Sequence, residues 1–341
     1  MNSPYVMRPA VLSDFDEFYS MAVESGPGFT SLPEDEGILR QNLEKAEASF
    51  AGALDQPEYG KYLMMLENTD TGELAGCSAV KAGVGIKSPF FNYRIITLAQ
   101  ASSEAERRFD MDALILTNEF VGCTEVGTLF LRPQHRGAGG LGRLLAQSRY
   151  LLMTTRPEWF GEKVIAELRG VVDQNGETPF WECLGRHFFK MTFPEADQLS
   201  ATTDNQFIVD LMPKYPIYVD LLPDEAREVI GRCHTDGVPA FKLLEWEGFS
   251  FERVVDIFDG GPIMQVSRDS LRTSRESRIM ELEVGPATGA TGIAARTDLE
   301  NYRAGLVDGA VIGETRFMTT QETLERLKLK RGDKARIWLR S

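Results

Sequence analysis

Residues 124–153 read TEVGTLFLRPQHRGAGGLGRLLAQSRYLLM, and in them a strand, a glycine-rich turn carrying arginine and a helix follow one another without a gap. Glu125 to Leu131 is dense in β-branched and large apolar side chains, and Pro133, with no N–H to give to a ladder, ends the run. A buried strand is expected there. Beyond the turn Leu141, Leu144, Leu145, Ser148 and Leu152 recur at helical spacing, while Arg143, Gln147 and Arg149 fall mostly off that stripe, the pattern of an amphipathic helix. Between the two, Gly137, Gly139, Gly140 and Gly142 let the backbone approach a ligand closely, and a helix N-terminus with free N–H groups attracts anions. Arg136 adds a full positive charge. The stretch reads as a cradle for cofactor phosphates, with a plain strand-to-helix connection as its alternative.

Glycine loops that hold phosphate differ in spacing. The G-x-x-x-x-G-K-[ST] pattern of a P-loop is absent, and G-x-G-x-x-G fits poorly because the chain before it does not open a βαβ unit.

The 341 residues exceed one ordinary domain, and 43% hydrophobic content is ample for a sizeable core, so one large domain with an appendage is expected. A formal charge of −14 argues against nucleic acid or an anionic membrane as partner, since both are bound through positive surface. No apolar run is long enough to span a bilayer, and MNSPYVMRPAVLSDFDEF lacks the pattern of a secretory leader, so a cytoplasmic protein is expected. Cys77, Cys123, Cys183 and Cys233 are scattered without a C-x-x-C, against a zinc site or disulfide framework, and no metal is expected.

In order, an apolar stretch from Tyr5 predicts a strand, and Ser13 and Asp16 stand where an N-cap and its partner would open a helix with Phe15, Phe18, Tyr19 and Ala22 inward. A second helix is predicted from Glu34 to about Ala53, then a hairpin of Tyr62–Glu67 and Leu74–Lys81, and strands near Tyr93–Leu98 and Ala113–Leu116. After the opening stretch come a strand at Lys163–Asp173 and a helix over Phe180–Phe189 broken at Gly185. Pro239–Phe249 followed by FERVVDIF echoes FWECLGRHFF, so a partial internal duplication from about residue 200 stays open, and residues 276–341 read as a small β-rich segment after a domain of residues 1–275.

The turn resembles the R-x-x-G-x-G/A loop of the GNAT acyltransferase superfamily, with Arg136 and Gly139 in place and the last glycine one position late at Gly142, as a one-residue insertion would leave it. That resemblance implies a mixed α+β fold, β-α-α-β-β-β-β-α-β-α, around a largely antiparallel sheet. Longer phrases narrow it further: GFTSLP (28–33), TLFL (128–131), AELRGVVD (166–173), PFWECLGRHFF (179–189), LMPKYPIY (211–218), EVIGRCH (228–234) and VDIFDGGP (255–262) are similar to the arginine N-succinyltransferase family. The likeness runs to roughly residue 280 and is loose beyond.

What this implies is transfer of a succinyl group from succinyl-CoA to the α-amine of L-arginine in arginine catabolism, with ornithine or another basic amine as an alternative acceptor. Leu129 matches the family position that meets succinyl-CoA, and His234 the proton donor. The backbone around Leu129 to Leu131 would donate to the pantetheine and thioester. An imidazole suits proton donation near neutral pH. Glu125 could serve as a base through water or hold the guanidinium, Phe29 and Arg94 could line the acceptor pocket, and Arg94 or Arg169 could meet the distal carboxylate. His135 reads as an exposed loop residue and His187 as a packing one. Cys233 beside His234 is not taken for a nucleophile, since neighbours on a chain rarely face each other. A homo-oligomer, or a hetero-oligomer with a paralogous chain, is expected, and a non-catalytic acyl-CoA-binding subunit is the competing reading.

Overall fold

A computed structural model describes residues 3–26, 29, 31–137, 139–173, 176–203 and 205–340, so of the phrase at 28–33 Gly28 and Thr30 lie outside the described residues. The predicted alternation resolves, in order, into β1 (Tyr5–Pro9), helices α1 (Phe15–Ser25) and α2 (Glu36–Phe50), β2 (Lys61–Asn68), β3 (Leu74–Lys81), β4 (Asn92–Ser102), β5 (Arg107–Thr117), β6 (Thr124–Leu131), α3 (Leu141–Met153) and β7 (Lys163–Glu167). Short helices follow, then β8 (Ile217–Tyr218), the helix Val238–Glu247, β9 (Ser250–Asp256) and β10 (Pro262–Ser267). The C-terminal part holds β11 (Arg278–Val284), β12 (Ala290–Arg296), β13 (Ala304–Ile312), β14 (Arg316–Thr319) and β15 (Lys334–Leu339).

The strands hydrogen-bond in the order β12-β15-β11-β14-β13-β1-β2-β3-β6-β7-β10-β9-β4-β5-β8. All pairs are antiparallel except β6–β7 and β11–β14, so the mixed, largely antiparallel expectation holds. The six strands predicted one by one before α3 are all present, one more than the β-α-α-β-β-β-β-α order holds. The hairpin β4–β5 follows β3 in sequence but lies beyond β7, β10 and β9 in space. In the C-terminal part β12 also pairs with β13, closing five strands into a ring, and β13 pairs in turn with β1 through Val6↔Gly305 and Met7↔Ala304.

Helices cover both faces of the central strands. α1 and α2 pack Phe18, Met21, Leu39 and Leu43 over Leu63, Met65 and Cys77, while α3 packs Leu144, Leu145 and Leu152 over Met64, Val80 and Val126. The amphipathic reading of α3 is corrected: every residue from Leu144 to Met153 is buried, Gln147 and Arg149 included. The C-terminal segments cover its outer face, where the Tyr302 hydroxyl donates to Ser148 O at 2.6 Å and the Ser274 hydroxyl to Tyr150 O at 3.1 Å. Arg149 stays inside by donating Nε–H to Ala146 O at 3.1 Å, with its guanidinium over the Tyr150 ring.

Three local expectations also change. α1 is entered not through Ser13 and Asp16 but through Asp14, whose carboxylate accepts from Val11 N at 2.9 Å and from Arg8 of β1 at 2.8 Å. The helix at Phe180–Phe189 is not broken at Gly185. It widens into one π turn over Trp181–Gly185, where a Cβ on Gly185 would sit 2.2 Å from the Trp181 ring, so only glycine fits. That helix is followed by another, Phe193–Thr202, and not by a strand, so it does not share the helix–strand pattern of Val238–Asp256.

Candidate active site

β6 and β7 run side by side in parallel but pair only at Thr124↔Val164 and Glu125↔Ile165. From Val126 onward the edge of β6 that faces β7 has no strand partner, and its backbone groups open into the gap. The bend is written into β6. Its register against β3 shifts between Cys77 and Ala79, and buried Thr128 takes a φ of 49°, a strained value for a β-branched residue. The surroundings hold it there: Thr128 Oγ1 donates to Ser31 O at 3.4 Å, and Phe29 packs edge-on against Phe130 with centroids 6.4 Å apart. Phe29 therefore props the bent strand from the α1/α2 side. Leu129 and Leu131 are half-buried against the α3 side of the core.

At the open end of β6 stands the glycine turn. Gly137, Gly139 and Gly140 have φ of 77°, 56° and 86°, and a Cβ on any of them would meet nothing within 4 Å. Conformation rather than crowding demands glycine here. Gly142 lies inside the first turn of α3, which has neither a side-chain cap nor an acidic residue, so its leading N–H groups and dipole face outward. Arg136 donates Nε–H to Leu131 O at 3.0 Å, which leaves the terminal nitrogens of an exposed guanidinium beside the turn. Arg132, buried and bonded to Leu74 O, Glu17 and Glu24, ties the end of β6 to α1 and anchors the turn.

Across the gap, at the far end of β7, sits His234. Its backbone N–H donates to Arg169 O at 2.8 Å, and its neighbour Cys233 bridges to Gly170. The side chain is 21% exposed, and Nδ1 accepts from Asp236 N at 3.2 Å, which leaves Nε2 without a partner among the described residues. The platform under it is clamped by Asp259, whose buried carboxylate accepts from Gly170 N at 2.6 Å and Gly261 N at 2.7 Å. The fit is close: a Cβ on Gly170 would lie 2.4 Å from Asp259 O, and one on Gly261 2.2 Å from Leu168 O. Asp256 shapes the same loop by accepting from Phe258 N and Asp259 N. Burial, and then the mutual repulsion of Asp256 and Asp259, raise the pair's affinity for a proton.

Carboxylates converge on this gap, but not as expected. Glu125 is 4% exposed and its carboxylate is 2.7 Å from Lys81 Nζ on β3, so an ion pair already occupies it. Glu167, on the facing strand, had no signal beyond its place in AELRG. It is half-buried, accepts no hydrogen bond among the described residues, and has its pKa pushed well above the ordinary value, first by burial and then by the charges of Asp256 and Glu125. Arg169, two residues on, makes no ion pair among the described residues, and its buried Nε finds no acceptor there.

Arg94 is not brought to this gap. It is held by Glu119 and lines a cleft of about 390 Å³ with Lys163, Ser250, Glu252, Gln265, Val266 and Ser267, at the opposite end of β7. The other histidines also differ from expectation. His135 is held between the Tyr5 hydroxyl at 3.2 Å and Glu73 at 3.0 Å, whereas His187 faces solvent. The Cys233 thiol is pushed up by burial, against a thiolate nucleophile.

A gap between parted parallel strands, ending in a phosphate-type turn on one side and a free imidazole nitrogen on the other, is laid out for acyl transfer, and the comparisons with known proteins make this chain an acyltransferase. Residues 5–273 match the family model described as arginine N-succinyltransferase beta subunit, and the chain belongs to the arginine N-succinyltransferase family. It is 40% identical over 335 residues to the arginine N-succinyltransferases of Salmonella paratyphi B and Escherichia coli O6:K15:H31, covering 97% of this chain and 96% of each relative. The likeness thus extends past residue 280 into the C-terminal part. The solved structure of arginine/ornithine succinyltransferase subunit AI from Pseudomonas aeruginosa superposes with a TM-score of 0.90 at 31% identity, over 98% of both chains. Among the described residues no helix is long and apolar enough to cross a membrane, and no group of His, Cys, Asp and Glu is arranged to hold a metal.

Proposed function

We propose that this chain transfers the succinyl group of succinyl-CoA to the α-amine of L-arginine, through a GNAT-like core in residues 1–275, to which residues 276–341 add the strand ring. The observation that carries the reading is the parting of β6 from β7 after two rungs, with the glycine turn and His234 on opposite sides of the opening. The cofactor's pyrophosphate would lie on the turn Arg136–Gly140 and the first turn of α3, with Gly142 leaving room, and its pantetheine along the unpaired edge at Leu129 and Leu131.

The reaction needs few parts. The amine loses a proton, its nitrogen bonds to the thioester carbon, the carbonyl oxygen carries negative charge for a moment, and the carbon–sulfur bond breaks as the thiolate takes up a proton. Unpaired N–H groups on the bent edge of β6 are the donors for that oxygen. His234 Nε2 supplies the proton to sulfur. Glu167 replaces Glu125 as acceptor of the amine proton, because burial raises its affinity for a proton while Glu125 is already paired with Lys81. Arg169 replaces Arg94 as the cation for the distal succinyl carboxylate, being unpaired and next to the imidazole platform.

The test is thiol release with several acyl-CoAs crossed against several amino acids. Succinyl-CoA with arginine should give the highest kcat/KM, and Arg169→Gln should lower the rate with succinyl-CoA while sparing that with acetyl-CoA. Equal release from acetyl- and succinyl-CoA in the unaltered protein would overturn the assignment. Ornithine remains a second acceptor because the P. aeruginosa relative is named for both amino acids.

A further inference from the structure

The hairpin β4–β5 runs well past the sheet that roots it. Its strands pair with each other over eleven rungs, from Asn92↔Thr117 to Ser102↔Arg107, yet β9 holds β4 only at Asn92–Arg94 and β8 holds β5 only at Ala113 and Leu114. From Arg94 to Ser102 the ribbon extends about 27 Å at ~3.4 Å per residue. A two-stranded ribbon standing free in water is marginal at best, so its length calls for a cover.

The two faces of the ribbon differ. One, continuing from Tyr93, carries Thr97, Ala99, Arg108, Asp110 and Asp112, with Asp112 paired to Arg253 at 2.7 Å. The other, continuing from Arg94, carries Ile96, Leu98, Met111, Ile115 and, beside Gln100, Phe109, and none of these belongs to an apolar core among the described residues. Phe109 is 51% exposed. Tyr218 of β8, directly across from Ala113 on this same face, is 37% exposed. An apolar stripe on a projecting ribbon is the mark of a binding face.

Charge and length say what covers it. Arg94 opens the stripe at its root and also lines the 390 Å³ cleft, whose Lys163 makes no ion pair among the described residues. At the tip, Glu104 and Glu106 make none either among the described residues, and both are exposed. Leu98 lies midway between Arg94 and Ser102. Two ribbons crossing antiparallel at Leu98 would therefore lay each tip over the other's root, glutamates against Lys163, as an isologous contact requires.

We propose that this face binds a second copy of the same chain, stripe on stripe about a two-fold axis, with Glu104 and Glu106 of each ribbon seated at the cleft of the other. The contact lies at the opposite end of β7 from the imidazole, so it does not depend on the chemistry assigned above. Mass by light scattering and sedimentation velocity on the full chain tests it. The unaltered protein should be a dimer, and Phe109→Glu with Met111→Glu should raise the dissociation constant on the order of 100-fold or more, with an unchanged circular dichroism spectrum and melting temperature. Lys163→Glu should weaken the dimer in a salt-dependent way, and Glu104→Lys with Glu106→Lys in the same chain should restore it. The proposal is overturned if the unaltered protein is a monomer at tens of micromolar, if it assembles only with a different chain, or if the Phe109/Met111 variant keeps its mass.

Discussion

Asp259→Asn removes one negative charge and almost no volume from the platform beneath His234. The carboxylate now accepts from Gly170 N at 2.6 Å and Gly261 N at 2.7 Å, and an amide keeps one acceptor but turns an NH₂ toward the other N–H. A hydrogen bond to a charged group contributes ~1.5–3 kcal/mol, and if its loss is felt as misplacement of the Arg169–Gly170 segment that holds His234, turnover should fall about 10- to 150-fold. Stability should move little. The lost bond is offset because the variant no longer buries a carboxylate beside Asp256. Initial rates of thiol release across pH 6–9 would separate the terms: kcat should drop by that factor with the acyl-CoA KM within about twofold, as for an interaction made only in the transition state. The deficit should be greatest above neutrality and narrow as pH falls, because burial raises the pair's proton affinity and the native clamp itself gains a proton on the acid side. A variant that retained kcat within a factor of two at pH 8, or lost it in step with a collapse of KM and melting temperature, would refute the clamp.

His234→Gln should lower kcat by ~10²–10⁴-fold, the usual contribution of a positioned proton donor, with acyl-CoA binding nearly intact by isothermal titration. Should it keep most of its rate, the imidazole would be an orienting group. Arg136→Ala should raise the acyl-CoA KM more than that of the amine, since Nε is already committed to Leu131 O and only the terminal nitrogens reach outward. Glu247, fully buried and accepting from Thr273 N and Oγ1, is pushed up to about 7, chiefly by burial. Its folded pKa lies above its ordinary one, so its contribution is complete below about pH 4.5 and declines as pH rises through 7, by about 3 kcal/mol in all. Glu247→Gln should flatten that slope in urea melts at pH 5 and pH 8, and an unchanged slope would place the titration elsewhere.

What was legible in the sequence was what is local. The glycine turn announces itself because three of its glycines need positive φ, and the hairpin β2–β3 because a polar turn joins two apolar runs. Nothing local says where a hairpin goes, so β4–β5 could not be seen to pass beyond β7 and β10, and Arg94 was assigned to a site at the wrong end of the sheet. Glu125 and Glu167 differ only in partners. Lys81 pairs directly with one and reaches the other only through its charge, a distinction made by strand register, which leaves no mark on the residues themselves. Arg149 and Gln147 looked solvent-facing because the segment that buries them arrives more than a hundred residues later.

The pairing of β1 with β13 joins residues 299 positions apart, Val6 to Gly305. On a ribosome adding 5–20 residues each second, the outer edge of β1 waits roughly 15–60 s for its neighbour. During that wait a bare row of N–H and C=O groups is offered to any extended chain nearby. The last 66 residues are thus the stopper on an otherwise adhesive sheet, and a protein cut at residue 275 would be expected in inclusion bodies however intact the gap between β6 and β7.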